Sequence, residues 1–489
     1  MIKKKYLKFQ QDESWRDDLR KSMKNQDRIR IPRVKMKELD PNYRVHNHSE
    51  VNLGLTLEQA LLESKRCLDC NNPQCITGCP IKINIPKFIK NIERNNILEA
   101  AKILKQTSAL PAVCGRVCPQ EKQCESKCIH LKIKNDPVAI GYLERFAADF
   151  ERENNSISIP KINKNKKIKI AVIGSGPAGL SFAGNMAKLG YKITVFEALH
   201  EIGGVLKYGI PEFRLPNYVI DAEIDVLKKN GIQFIKNIII GKTVSYQDLH
   251  NEGYKGIFVA VGAGAPNFMN IPGENLAGIL SSNEYLTRVN LMGASKKRSD
   301  TPVFLVKKVA VIGGGNTAID SVRTARRLGA EKAMIIYRRS KEEMPARTEE
   351  IRHAEAEKII FMNLYTPIKY IGDEKGQVKQ VCLQKMKLGD LDSSGRRRAI
   401  PVPNLTKILD VDMIIVAVGV SPNPMIINSF KGLDISKSGT ILVNQNTLQT
   451  NLLNIYAGGD IIRGGSTVIL AMGDGFKAAD SMHKILNQN

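Results

Sequence analysis

Residues 169–190 read KIAVIGSGPAGLSFAGNMAKLG, and residues 308–329 read KVAVIGGGNTAIDSVRTARRLG. Each opens on branched apolar residues, turns on glycines and continues with helical apolar spacing, so each reads as strand, turn and helix. They align without a gap: Gly174 falls on Gly313, Gly176 on Gly315 and Gly179 on Ala318. This is an internal repeat of a nucleotide-binding unit, and it implies two dinucleotide sites in one chain. In the first copy the expected strand is 170–173, and the turn is Gly174, Ser175, Gly176, Pro177, Ala178 and Gly179. Gly174 permits the tight turn, Gly176 lets backbone approach a pyrophosphate, and Gly179 lets the helix pack on the strand. The helix N-terminus then faces the phosphates with free N–H groups and the positive end of its dipole. A second strand over 191–196 ends in Glu197, placed to accept a hydrogen bond from a ribose hydroxyl.

In the second copy the strand is 309–312, and the turn runs through Gly313, Gly315, Asn316, Thr317 and Ala318. Its second strand, 333–337, ends in Arg338 and Arg339 rather than an acid. Arginines there clamp a ribose 2′-phosphate, which favours NADPH over NADH. The competing reading is two surface arginines in a basic protein. Residues 257–263 (IFVAVGA) and 414–420 (IIVAVGV) also resemble each other. They are placed as crossings into and out of an inserted domain. Near the end, Gly459 and Asp460 precede a glycine-rich run and a helix, and would put a carboxylate near a flavin's ribityl chain.

A chain of 489 residues is long enough for about three domains. With 43% apolar and 25% charged residues it is neither disordered nor collagen-like. The longest apolar run, 413–420, is far short of the roughly 18 residues a membrane span needs. The basic start at Met1 has no apolar core behind it, so no secretory signal is expected and the cytoplasm is the expected location. The net charge of +24 raises nucleic-acid binding, but no aromatic-interleaved basic motif accompanies it and Trp15 is the only tryptophan. The excess reads as a basic surface, able to steer an acidic redox partner.

Eight of the nine cysteines lie between Cys67 and Cys128. The first block is Cys67, Cys70, Cys75 and Cys79, followed by Pro80, and the second is Cys114, Cys118, Cys124 and Cys128, with Pro119 after Cys118. Disulfide scaffolds are short and secreted, so a dense cluster here reads as metal binding. Thiolates a few residues apart, with proline following, fit iron–sulfur clusters, and eight suffice for two [4Fe–4S] clusters. Structural zinc is the rival, though it is usually held by paired CxxC knuckles. Cys382 stands alone and reads as a small buried apolar residue. Helices are expected over 54–66, 84–107 and 136–150, the last with Asp136 as N-cap and Pro137 in its first turn. The polar stretch 151–168 reads as a linker.

Together these residues resemble the family of the NADPH-dependent glutamate synthase small subunit. Its relatives include the large subunit of NADH-dependent ferredoxin:NADP oxidoreductase and the N-terminal half of dihydropyrimidine dehydrogenase. The resemblance runs from about Leu55 to Ala479. It implies an α/β protein: an N-terminal α-helical iron–sulfur domain, then two Rossmann-like dinucleotide-binding domains with the NADPH domain inserted in the FAD domain. On this sequence that gives residues 1–155, then 165–290 with 425–489, then 291–424. Residues 203–214 (GGVLKYGIPEFR), with Gly204, Val205 and Arg214, look like the stretch near the isoalloxazine, and Thr467 belongs to the C-terminal flavin stretch. The resemblance also supplies a non-cysteine ligand, at Glu144. Cys67, Cys70, Cys75 and Cys128 would then hold one cluster. Cys79, Cys118, Cys124 and Glu144 would hold the other, with Cys114 a spectator; eight thiolates remain the alternative. The implied activity passes electrons from NADPH through FAD and the clusters to a large subunit making glutamate from glutamine and 2-oxoglutarate. Residues 337–347 and 456–475 lean toward the ferredoxin-oxidoreductase branch, whose partner would be a small flavin and [2Fe–2S] subunit. Neither nucleic acid nor a membrane is an expected partner. A thioredoxin-reductase reading fails because the second nucleotide unit holds no CxxC, only Cys382.

Overall fold

In the computed structural model the described residues are 13–160, 162, 166–296 and 298–487. The residue at Met1 and part of the 151–168 stretch lie outside them. Both repeated units form parallel five-stranded sheets. The first runs, in spatial order, Ile455–Ala457, Tyr254–Val259, Lys169–Ile173, Lys192–Phe196 and Gln233–Ile235. The second runs Ile279–Ser281, Met413–Val416, Lys308–Ile312, Lys332–Tyr337 and Ile360–Asn363. The strands are buried on both faces, which is why each reads as a continuous apolar run rather than an alternation. Tyr254–Val259 and Met413–Val416 each flank their unit's fingerprint strand. The two crossings between units meet as an antiparallel pair, Ala265–Pro266 against Val420–Ser421. The second sheet already holds Ile279–Ser281, ahead of the expected boundary at 291.

The fingerprint helix Pro177–Lys188 lies between the first sheet and the long C-terminal helix Val468–Leu486. The two helices approach closely: a Cβ on Gly475 would sit 2.3 Å from the Ala178 carbonyl oxygen. Beyond the second sheet is an antiparallel three-stranded sheet, Tyr365–Gly372, Val378–Leu391 and Arg397–Asp410.

The cysteine-rich region is helical. Leu57–Lys65 starts with a capping box between Thr56 and Gln59. The stretch 84–107 divides into Ile85–Glu93 and Ile97–Thr107. The expected helix at 136–150 is displaced: it spans Ile140–Glu153, with Ala139 at the N-cap position instead of Asp136. The reason is long-range. Arg66 donates to the carbonyls of Asp136 (2.6 Å) and Pro137 (2.8 Å), and Arg33 donates to Pro137 (2.7 Å). Carbonyls engaged by the buried Arg66 and the half-buried Arg33 are held outside the helix, which also runs three residues into the expected linker. The helical region and the first nucleotide unit share one apolar core, from Ala60 through Leu180 to Met482. The second unit has its own cores, built only from its own residues.

Candidate functional site

Both glycine turns open on one cleft of about 1010 Å³. In the first, Gly174 has φ +100°, and a Cβ there would lie 2.5 Å from the Ala260 carbonyl oxygen. A Cβ on Gly179 would lie 2.0 Å from the Gly174 carbonyl oxygen, so the helix rests directly on the turn. Gly176, by contrast, would direct a Cβ into open space with nothing within 4 Å. The second turn repeats the pattern: a Cβ on Gly313 would meet the Ala417 carbonyl at 2.4 Å, and one on Gly315 would meet nothing. In each turn the middle fingerprint glycine is the residue that leaves room beside a helix N-terminus, and such a donor-rich approach suits a pyrophosphate.

Glu197 closes the first turn. Its Oε2 accepts from the Ser175 N–H (2.9 Å) and hydroxyl (2.5 Å), and its Oε1 from the Leu199 N–H (2.8 Å). Three of about four carboxylate acceptor sites are then used, leaving one for a ribose hydroxyl. Gly204, Val205, Gly459, Asp460 and Thr467 line the same cleft, as do Pro177 and Ala178. Asp460 Oδ1 is engaged by the Ser466 N–H (3.1 Å) and hydroxyl (2.7 Å), and burial raises its carboxyl above the usual range. Thr467 caps the helix whose N-terminus opens on the cleft. Arg214 reaches the cleft too, but its charge is met by Asp320 at 2.5 Å and by Glu350 at 3.5 Å.

Beside the second turn, Asn316 Oδ1 accepts the Arg347 N–H at 2.9 Å, and Asn316 and Thr317 line the cleft. Ala318 is buried beneath them. The two arginines differ. Arg338 is exposed, whereas Arg339 is buried and paired with Asp392 at 2.6 Å. A third arginine, Arg396, also lines the cleft. The sequence signals a hairpin turn at 392–396, but not what that turn faces.

The cysteines collect into two groups. Cys75 lies within electrostatic reach of Cys67, Cys128 and Cys70. Cys124 and Cys118 lie within reach of Glu144, and Cys79 within reach of Glu144 and Cys114. Burial pushes the Cys67 and Cys79 thiols up to about 12, so cluster insertion must displace protons. Glu144 is buried, its carboxyl raised to about 8 by burial and by Glu223, and its Oε1 has no hydrogen-bond partner. Cys114, in the same group, does have partners: its thiol donates to Met472 Sδ at 3.5 Å and is hydrogen-bonded with Cys118. Tetrahedral zinc would need sulfurs about 3.8 Å apart. Among the described residues no three cysteine sulfurs lie within 4.8 Å of one another. Cys382 is half-buried in Val378–Leu391, far from both groups in sequence.

The second group packs on the helix that opens on the cleft. Besides the Cys114–Met472 contact, a Cβ on Gly473 would lie 2.9 Å from Pro80. The first group is nearer the surface: Cys70, Cys75 and Cys128 are partly exposed, against Cys124 alone in the second.

The family "Pyridine nucleotide-disulphide oxidoreductase" matches residues 168–475, and "Dihydropyrimidine dehydrogenase domain II, 4Fe-4S cluster" matches residues 44–156. The glutamate synthase [NADPH] small chain of Escherichia coli is 35% identical over 430 residues, covering 87% of this chain and 91% of that one. The NADP(+)-dependent formate dehydrogenase subunit beta of Moorella thermoacetica is 36% identical over 437 residues, but the chain spans only 60% of that relative's length. Mycobacterium tuberculosis FprA in complex with NADPH shares the fold, with a TM-score of 0.55 at 19% identity over 66% of this chain and 85% of that one.

Proposed function

This chain belongs to the pyridine nucleotide-disulphide oxidoreductase family and, within it, to the glutamate synthase small chains, and from that premise we propose that it is the NADPH-oxidising reductase subunit of a glutamate synthase. The observation that carries the reading is the shared cleft. Two glycine turns face it from two sheets, and the Cys79 group packs against the helix that opens on it. The Gly174–Gly179 turn and Glu197 bind FAD, while Gly313, Gly315 and the neighbouring arginines bind NADPH. Cys67, Cys70, Cys75 and Cys128 hold one [4Fe–4S] cluster. Cys79, Cys118, Cys124 and Glu144 hold the other, and the unpartnered Glu144 oxygen supports that choice over Cys114. When bound, these groups supply hydride acceptance and one-electron transfer. The residues set their order: the Cys79 group lies toward the cleft and the Cys67 group toward the surface. The outer group is therefore the one a large subunit would meet.

The test is anaerobic affinity purification from the native cell, followed by NADPH oxidation by the recovered complex. A co-purifying amidotransferase-type large subunit, with glutamate formed from glutamine and 2-oxoglutarate, is expected. A small flavin and [2Fe–2S] partner would replace this reading with the ferredoxin:NADP one. No NADPH oxidation by FAD-loaded protein, even with an artificial acceptor, would overturn both.

A further inference from the structure

The second nucleotide unit lines the cleft with three arginines, Arg338, Arg339 and Arg396, and they are not equivalent. Arg339 is neutralised by Asp392. Neither Arg338 nor Arg396 has a carboxylate within ion-pair distance among the described residues. We propose that Arg396, acting with Arg338, is the clamp for the ribose 2′-phosphate, and that Asp392 is a positioning residue that holds Arg339 out of that role. The inference rests on the assignment of this unit to NADPH.

The turn that carries Arg396 is built to present it. Asp392 Oδ1 accepts the Ser394 N–H (2.8 Å), the Ser394 hydroxyl (2.5 Å) and the Arg396 N–H (3.3 Å). Its Oδ2 accepts from Arg339. Both oxygens are engaged, so the carboxylate is tied inward. Arg396 Nε donates to Ser394 Oγ at 3.0 Å, which fixes the stem of the guanidinium. Its two terminal nitrogens stay available as a fork for a phosphate. The charge balance points the same way. A phosphomonoester carries roughly −1.5 to −2 at neutral pH. Arg339 with Asp392 contributes no net charge, so Arg338 alone would leave the phosphate under-neutralised. Arg396 supplies the second positive charge.

The test is calorimetric titration of FAD-loaded protein with NADP⁺, NAD⁺ and 2′-AMP. Arg396→Ala is expected to weaken NADP⁺ and 2′-AMP about ten- to a hundredfold, the usual cost of a lost charge-assisted contact, and NAD⁺ far less. Asp392→Asn frees Arg339, so the double variant should recover part of the NADP⁺ affinity that Arg396→Ala loses. A merely structural turn would not give that recovery. If Arg338→Ala separates NADP⁺ from NAD⁺ but Arg396→Ala does not, the inference fails while the NADPH assignment stands. If neither variant separates them, the NADPH assignment fails as well.

Discussion

Replacing Glu357 with glutamine tests how the NADPH unit is held in place. Glu357 is buried and accepts from three arginines. The contacts are Arg44 Nε at 2.8 Å, Arg323 Nε and Nη2 at 3.0 and 2.8 Å, and Arg327 Nη1 and Nη2 at 2.8 and 3.1 Å. Arg44 comes from the cysteine-rich region, and Arg323 and Arg327 stack over Phe213 of the flavin unit at 4.7 and 3.9 Å. Three parts of the chain therefore converge on one carboxylate. A buried ion pair contributes little net stability when intact, because desolvation offsets the attraction. Removing one partner is different: the guanidinium groups stay buried while their counter-charge goes, at a cost of about 3–5 kcal/mol. Taking about 2–4 °C per kcal/mol for a unit of this size, Glu357→Gln should lower the Tm by about 6–20 °C. Anaerobic thermal melts followed by flavin fluorescence measure it. Glu355→Gln is the control, since its pair with Lys341 is largely exposed. Such a pair contributes at most about 1 kcal/mol. Equal shifts in the two variants would refute the reasoning.

Three other outcomes are expected. Gly179→Ala should prevent FAD loading and destabilise the protein, because its Cβ would meet the Gly174 carbonyl at 2.0 Å, whereas Gly176→Ala should keep the Tm of the apoprotein and lose FAD affinity; flavin content and melts separate the two. Cys70→Ser should remove one cluster from the iron count, while Cys114→Ser should leave the count intact, and iron loss in Cys114→Ser would refute the Glu144 assignment. Burial works to raise the Glu350 carboxyl, but Arg214 and Arg323 hold it at about 2 against an ordinary 4.5. Its folded value is depressed, so its contribution is fully present above pH 4.5 and lost as the pH falls toward 2. Acid titration of the Tm should fall more steeply across that window in the native chain than in Glu350→Gln.

Local patterns made much of the fold legible. Both glycine turns, their strands and their helices follow from an apolar run, a glycine spacing and a helical apolar period in succession, and the three glycine roles of the first turn reappear as three different Cβ environments. Features set by distant partners were not legible. Asp136 has the right residue type for an N-cap, yet Arg66 and Arg33 take the carbonyls around it and move the helix start to Ile140. Arg338 and Arg339 are adjacent and alike in sequence. Only the hairpin turn, contributed by residues more than 50 positions on, neutralises one of them and brings Arg396 to the same cleft as the other. The partners of Glu357 likewise include Arg44, 313 positions away. A pattern of spacing carries no information about pairs of that kind.

The contrast between the two attachments has a consequence for how the protein comes apart. The cysteine-rich region and the flavin unit share one apolar core, so separating them exposes Ile and Phe side chains at any pH. The NADPH unit's apolar cores stop at its own boundary. Its ties to the rest are largely polar: Arg44 to Glu357, Arg214 to Asp320, Tyr142 to Glu349 at 3.0 Å, and Arg347 to Gln120 at 2.8 Å. Glu38, from the N-terminal region, adds a contact to His353 at 3.1 Å. Burial opposes its ionisation, but His353 and Arg352 hold its carboxyl down at about 2. Acid therefore weakens the ionic ties made by Glu38 and Glu350, which joins Arg214 at 3.5 Å, while leaving the shared apolar core untouched. As the pH falls from 4.5 toward 2, the NADPH unit should loosen first, and limited proteolysis should release cuts near 265 and 420, where the two crossings pair, before any cut in the cysteine-rich region. Early cleavage between Cys67 and Cys128 instead would mean that the apolar core, and not the ionic junction, is the weaker attachment.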